Sequence, residues 1–374
     1  MTERENIVVV GGGGAGTSIT RQLSEWLNRS QYNLILISPR SYMVHYPATL
    51  RMLVTSKGHL EDCAFIPLEQ IFINGHGRLV NGKVVSIKDD GENGGHITLD
   101  NGETIKWSIL VLAPGRIWRG PLAFPEPKAE CLDHVYEWRR KFEQAKNIVL
   151  VGGGAVGIEL AGELKEFHPN KNVTIVHGQE LPLNDYYPRR WRKDIARRLR
   201  RRGVNLVLSD YVDDEEIEHY TIKTRNGEVV LADLVVPCGG AEMNTEFIGT
   251  LGEGTLWSSK CVRIDTAFRL LHHKRIFAAG DVIEWEEQKQ LCKAYTHAEM
   301  VSKNVMAALR KEDPAAIYKG SAEIMCLSMG QTGGTTYYSY LWGFNFGDAF
   351  TMSLKGRDLM VGQAREKCGI RHRM

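Results

Sequence analysis

The chain has 374 residues, 43% hydrophobic and 25% charged, an ordinary globular balance long enough for two or three domains. Its 47 basic and 45 acidic residues leave a formal charge of +2, which excludes a global field aimed at nucleic acid or an acidic partner. The seven cysteines, at 63, 131, 238, 261, 292, 326 and 368, form no CxxC or CxxxxC pair. That spacing argues against a disulfide relay and fits thiols kept reduced in a cytoplasmic-type compartment.

The opening MTERENIVVV has no leader signature, and Thr2 rules out N-myristoylation. No apolar run reaches the roughly 18 residues of a spanning helix. Any membrane contact is therefore expected to be peripheral. Ile7–Val10 enters Gly11, Gly13 and Gly16, a helix follows, and Asn33–Ile37 reads as the next strand. This is a strand–glycine turn–helix unit, the cradle in which a dinucleotide pyrophosphate meets a helix N-terminus. About 20 residues past the last glycine such units carry Asp or Glu for the ribose; here Ser38, Pro39 and Arg40 stand there. In the following SYMVHYPATLRML, His45 reads as a packed or solvated residue. Arg51 reads either as a pyrophosphate neighbour or as a surface salt bridge.

Segments Gly82–Lys88, His96–Leu99 and Ile105–Leu112 read as a meander returning to a core strand, which ends in Ala113-Pro114-Gly115. Pro121–Pro127 is a linker, and a helix is expected over Asp133–Ala145. The second fingerprint follows, NIVLVGGGAVGIELAGE over Asn147–Glu163, with Gly152, Gly154 and Gly157 at the cradle positions. Two such units imply two bound dinucleotides, the equipment of electron transfer. The second unit's next strand, Asn172–Val176, ends at His177, which favours neither NAD nor NADP. Arg189–Arg202 holds nine basic residues against Asp194, with Trp191, Ile195 and Leu199 on one stripe. It reads as a solvated amphipathic face or as a platform for anionic lipid or nucleic acid. Val204–Leu208, Glu228–Leu231 and Asp233–Pro237 read as strands, with a boundary at Gly239-Gly240. RIFAAGD over Arg275–Asp281 puts one carboxylate before a helix expected near Tyr295–Leu309. The aromatics Tyr337, Tyr338, Tyr340, Trp342, Phe344, Phe346 and Phe350 read as a strand-rich lid or as an apolar mouth. Lys367–Met374 is expected to fray.

GGGGAG at 11–16, APG at 113–115, GGGAVGIELAGE at 152–163 and FAAGD at 277–281 occur in that order. The chain so resembles the two-dinucleotide FAD/NAD(P)H oxidoreductases, type II NADH dehydrogenases among them. Lys293-Ala294-Tyr295, Leu327–Gly330 and Lys355–Val361 are similar to the ferroptosis-suppressor branch of the apoptosis-inducing-factor family. The resemblance implies an α/β fold of two Rossmann-like, three-layer ββα nucleotide-binding domains, the second inserted in the first, plus a small C-terminal α+β region. The expected division is 1–120 with 241–315 for FAD, 121–240 for NAD(P)H, and 316–374 beside the flavin and acceptor.

The resemblance also implies the site. The positions expected at FAD are Gly11, Gly13, Gly14, Ala15, Gly16, Ser38, Arg40, Arg51, Val84, Ala113, Gly115, Asp281, Lys293 and Ala294. Those expected at NAD(P)H are Gly152, Gly154, Ala155, Val156, Gly157 and His177, with Glu159 and Lys355 as catalytic residues and no metal. The implied reaction is hydride from NAD(P)H to FAD, then electrons to a quinone-like acceptor. Two other readings are weighed: a flavoprotein of specialised metabolism acting on a small aromatic or polyketide substrate, and a nucleotide-carrying binding protein using helix 189–202 on nucleic acid or membrane.

Overall fold

The computed structural model describes residues 4–213, 217–340 and 343–370; Trp342 and the last four residues of the chain lie outside these. The first glycine unit belongs to a five-stranded parallel sheet in the order Ile276–Ala278, Ile109–Leu112, Glu5–Val10, Tyr32–Ser38, Arg78–Asn81. Its strands are near-continuous apolar runs because both faces are covered, as parallel sheets require. Ile7, Val8 and Val9 have no exposed surface. The edge strand Arg78–Asn81 carries no strong sequence signal, since only Val80 is buried in it. An antiparallel meander, Val84–Asp89, Gly95–Leu99 and Thr104–Trp107, packs beside this sheet.

The second unit is a four-stranded parallel sheet in the order Val204–Leu208, Asn172–His177, Asn147–Val151, Leu234–Pro237. It is inserted in the first. The chain leaves along Arg116–Ile117 and returns along Glu242–Met243, and these two segments pair antiparallel. The helix before the second fingerprint is Lys128–Gln144 and the one after Gly280-Asp281 is Leu291–Leu309, each starting several residues earlier than its apolar pattern suggests. The first turn of Lys128–Gln144 is exposed over 128–130, and that of Leu291–Leu309 sets an exposed Cys292 beside a buried Lys293, so periodicity alone misses both.

The C-terminal region is a three-stranded antiparallel sheet, Ile324–Ser328, Gly334–Tyr338 and Phe344–Phe346. A short helix at Asp348–Thr351, a π-helical segment at Met352–Gly356 and a helix at Val361–Lys367 complete it. Leu327, Met329, Tyr337, Leu359 and Val361 share one core with the second glycine helix, Ala155–Phe167, and with the helix Tyr46–Val54. The C-terminal region therefore rests on both nucleotide-binding units. The aromatic cluster divides: Tyr337 is buried against Trp191, while Tyr340, Phe344, Phe346 and Phe350 are exposed.

Candidate active site

Both glycine turns have the same backbone geometry. Gly11 and Gly152 sit at φ +116° and +120°, a region that costs an L side chain strain. A Cβ on Gly16 would fall 1.9 Å from the Gly11 carbonyl oxygen, and one on Gly157 2.0 Å from that of Gly152. Helix and strand can approach this closely only without side chains. Above Gly13 and Gly154, at the helix N-termini, an added Cβ would meet nothing within 4 Å. That open space beside unpaired N–H groups is what a pyrophosphate needs, so both cradles fit a dinucleotide. Gly115, at φ +72°, and Gly239 likewise face open space. Ala113 lines the first turn, its carbonyl oxygen closest to Gly11.

At the second-strand ends, Ser38 and His177 lie under the middle glycines. The Ser38 Oγ accepts the Arg40 backbone N–H at 3.2 Å, and the Gly153 N–H donates to His177 Nδ1 at 3.1 Å. Having accepted there, His177 carries its proton on Nε2, which donates to the Leu183 carbonyl at 3.3 Å. Burial holds its pKa below the ordinary imidazole value. Arg40 turns to the linker and donates to the carbonyls of Phe124 and Pro125.

Asp281 lies at the end of the Ile276–Ala278 strand, 3.5 Å from the Arg116 guanidinium, and burial pushes its carboxyl up. Ala15 is buried beside Gly280, and Gly14 packs on Leu291. Val84 opens the meander, paired with Leu99. Ala155 and Val156, half-buried, form the first turn of the second glycine helix.

Glu159 and Lys355, 196 residues apart, meet at 2.6 Å. The same Glu159 oxygen, Oε1, accepts the Ser328 N–H at 2.9 Å and the Ser328 hydroxyl at 3.0 Å. Among the described residues, Oε2 receives no donor. At 2.6 Å and an effective dielectric near 20 the pair attracts by about 6 kcal/mol, against several kcal/mol to desolvate each ion. Attraction and desolvation roughly cancel, so stability does not explain the pair. Lys355 lies on the π-helical segment, an irregularity common at functional sites.

Three expectations need correction. Arg51 is neither free for a pyrophosphate nor in a surface salt bridge: its Nε and Nη2 fork Glu163 at 2.9 Å each, with both side chains 2% exposed. Burial pushes the Glu163 carboxyl up, and the Arg51 fork is what opposes it. The Lys293 ammonium is not free for a cofactor either, since it is buried and paired with Glu323. Glu323 also accepts from the Tyr187 hydroxyl at 2.6 Å and from Gln290. Finally, helix 189–202 is free as a platform only in part, with Lys193, Arg200 and Arg201 exposed but other cations committed. Arg192 is buried on the carbonyls of Leu181, Pro182 and Leu183, and Arg198 and Arg202 hold Asp348. Sequence reasoning gave no role to Ser328, Glu163 or Glu323: the first two stand inside quoted motifs and Glu323 in none, and only the pairing of distant segments shows what they hold.

The match to known proteins agrees with this geometry. A family model described as pyridine nucleotide-disulphide oxidoreductase matches residues 5–307. The FAD-dependent oxidoreductase FVFD30 of Flammulina velutipes is 41% identical over 319 residues, covering 85% of this chain and 99% of that protein. Ferroptosis suppressor protein 1 of Homo sapiens is 29% identical over 365 residues, covering 95% and 94%. Among solved structures, the sulfide:quinone oxidoreductase of Aquifex aeolicus has the same fold, with a TM-score of 0.75 at 15% identity over 97% of this chain and 92% of that one. The chain belongs to the pyridine nucleotide-disulphide oxidoreductase family, as an FAD-dependent enzyme of its apoptosis-inducing-factor-like branch that uses NAD(P)H.

Proposed function

We propose that this enzyme passes reducing equivalents from NAD(P)H through FAD to a quinone-type acceptor that binds at Glu159 and Lys355. The observation that carries the reading is the Lys355–Glu159 contact, in which a half-buried cation from the C-terminal segment meets a buried carboxylate on the nicotinamide-side helix. FAD, when bound, supplies the conversion of a hydride into electrons an acceptor can take. The chain supplies orientation and charge. Gly13 and Gly154 would admit the two pyrophosphates, and the Asp281 carboxylate would accept a hydroxyl of the flavin's ribityl chain. Lys355 offers a positive N–H donor to an oxygen gaining negative charge, and a proton once that oxygen becomes basic. Glu159 holds Lys355 through Oε1 and keeps Oε2 for the ligand.

The name of one similar protein, a sulfide:quinone oxidoreductase, favours a quinone. The surface agrees. Phe346 and Phe350 stack at 4.3 Å and form an exposed apolar ridge with Phe344, while Leu354, next to Lys355 in the chain, and Tyr340 are exposed as well. The ridge borders the basic helix, where Lys193, Arg200 and Arg201 remain exposed. An apolar ridge flanked by cations suits an anionic bilayer surface, the source of a lipophilic quinone.

The test is anaerobic. The visible flavin band of the purified protein should bleach on NADH or NADPH and return on a soluble quinone. Bleaching with recovery only on a small aromatic substrate would move the reading to specialised metabolism, and absence of bleaching with either nucleotide would end it.

A further inference from the structure

We propose that Arg51 is the positioning residue for Lys355, pinning the C-terminal segment to both nucleotide-binding units at once; the inference rests on the acceptor reading above. Three observations converge. The guanidinium that forks Glu163 also donates from Nη1 to the Arg357 carbonyl at 3.2 Å, two residues from Lys355. Glu163 lies one turn beyond Glu159 on the same helix, so the carboxylate that holds Arg51 and the one that holds Lys355 are rigidly related. At the other end of the Tyr46–Val54 helix, His45 Nε2 donates to the Leu359 carbonyl at 2.8 Å. One helix thus grips the segment 355–359 at two points, like a ruler laid along it.

The segment needs such a grip. Leu359 and Met360 both have positive φ, +54° and +59°, a conformation that persists only where surrounding contacts over-determine it. It is continuous with the π-helical turn that carries Lys355. The stability argument points the same way. A buried ion pair is often no better than two apolar side chains of similar volume, so the fork is more economically explained as fixing register. A register error of about 1 Å at a reacting group is enough to cost about 100-fold in rate.

Two variants keep the test independent of folding: Arg51→Lys, which keeps the charge but cannot both fork and reach Arg357, and the double change Arg51→Met with Glu163→Met, which leaves no orphan charge. Amide hydrogen exchange over 352–359 should rise about tenfold in each, while exchange in the first glycine helix and flavin content per chain stay at parental values. Oxidation of the reduced flavin by a soluble quinone should slow about tenfold, and Arg51→Lys should add nothing in a Lys355→Met background. Flavin loss with unchanged exchange over 352–359 would overturn the proposal, returning Arg51 to the cofactor; so would a fully additive loss with Lys355→Met. If Lys355→Met alone oxidises at the parental rate, the acceptor reading fails, and unchanged exchange over 352–359 in the Arg51 variants is then what overturns the pin.

Discussion

The two glycine turns share a backbone but not a purpose. With Gly16 laid on Gly157, Ser18 and Gln22 of the first helix occupy the places of Glu159 and Glu163 in the second. Ser18 and Gln22 bond each other, Nε2 to Oγ at 3.1 Å, and among the described residues their side chains bond nothing else. Glu159 and Glu163 instead reach Lys355 and Arg51, residues of two other segments. The cradle is thus a property of glycine and strand order, common to both units. Chemistry enters where the next two turns of a helix carry charge that other parts of the chain must answer.

The largest expected effect breaks what the turns share. Gly16→Ala and Gly157→Ala each force a Cβ onto a backbone oxygen, at about 1–3 kcal/mol of overpacking. Gly16→Ala should yield colourless protein. Gly157→Ala should stay yellow but bleach with NAD(P)H at least about 100-fold more slowly, and equal loss of flavin from both would erase the distinction between the turns.

A smaller effect separates the strand ends. His177 is held neutral by burial while it accepts the Gly153 N–H. Its folded pKa lies below that of the unfolded chain, so below about pH 6.5 the unfolded state takes up the proton first and stability falls as pH falls. His45, depressed by its own burial, acts in the same direction, so the informative variant is His177→Asn, whose amide oxygen can still accept from Gly153. Melting temperature followed from pH 7.5 down to pH 5 should fall less steeply in His177→Asn than in the parent. Ser38→Ala, at the matching place in the first turn, should cost about 1 kcal/mol at every pH. Parallel curves for the parent and His177→Asn would remove His177 from the account.

Much of this is legible in the sequence because it is local. Glycine spacing, the apolar strands beside it and the order of the four motifs give the nested units directly. The Glu159–Lys355 pair came only from resemblance to a family, since nothing in spacing links positions 196 residues apart. Arg51 shows where local reading stops. A lone arginine in an apolar helix signals a buried partner, but Glu163 cannot be named until helix Tyr46–Val54 packs on Ala155–Phe167. The aromatic cluster mixes a buried Tyr337 with exposed Phe344 and Phe346, because successive residues of a strand face opposite ways and Tyr337 pairs with Asn345, on the face opposite Phe344 and Phe346.

The most direct test of the central claim is a two-step anaerobic stopped-flow experiment on Lys355→Met, with Ser18→Ala as the matched change in the other helix. Both variants should bleach with NAD(P)H within about threefold of the parental rate. On a soluble quinone, Ser18→Ala should recover its colour as the parent does and Lys355→Met about 10- to 100-fold more slowly. Parental recovery by Lys355→Met, or slowing confined to its reduction by NAD(P)H, would contradict the assignment of the acceptor to the second helix.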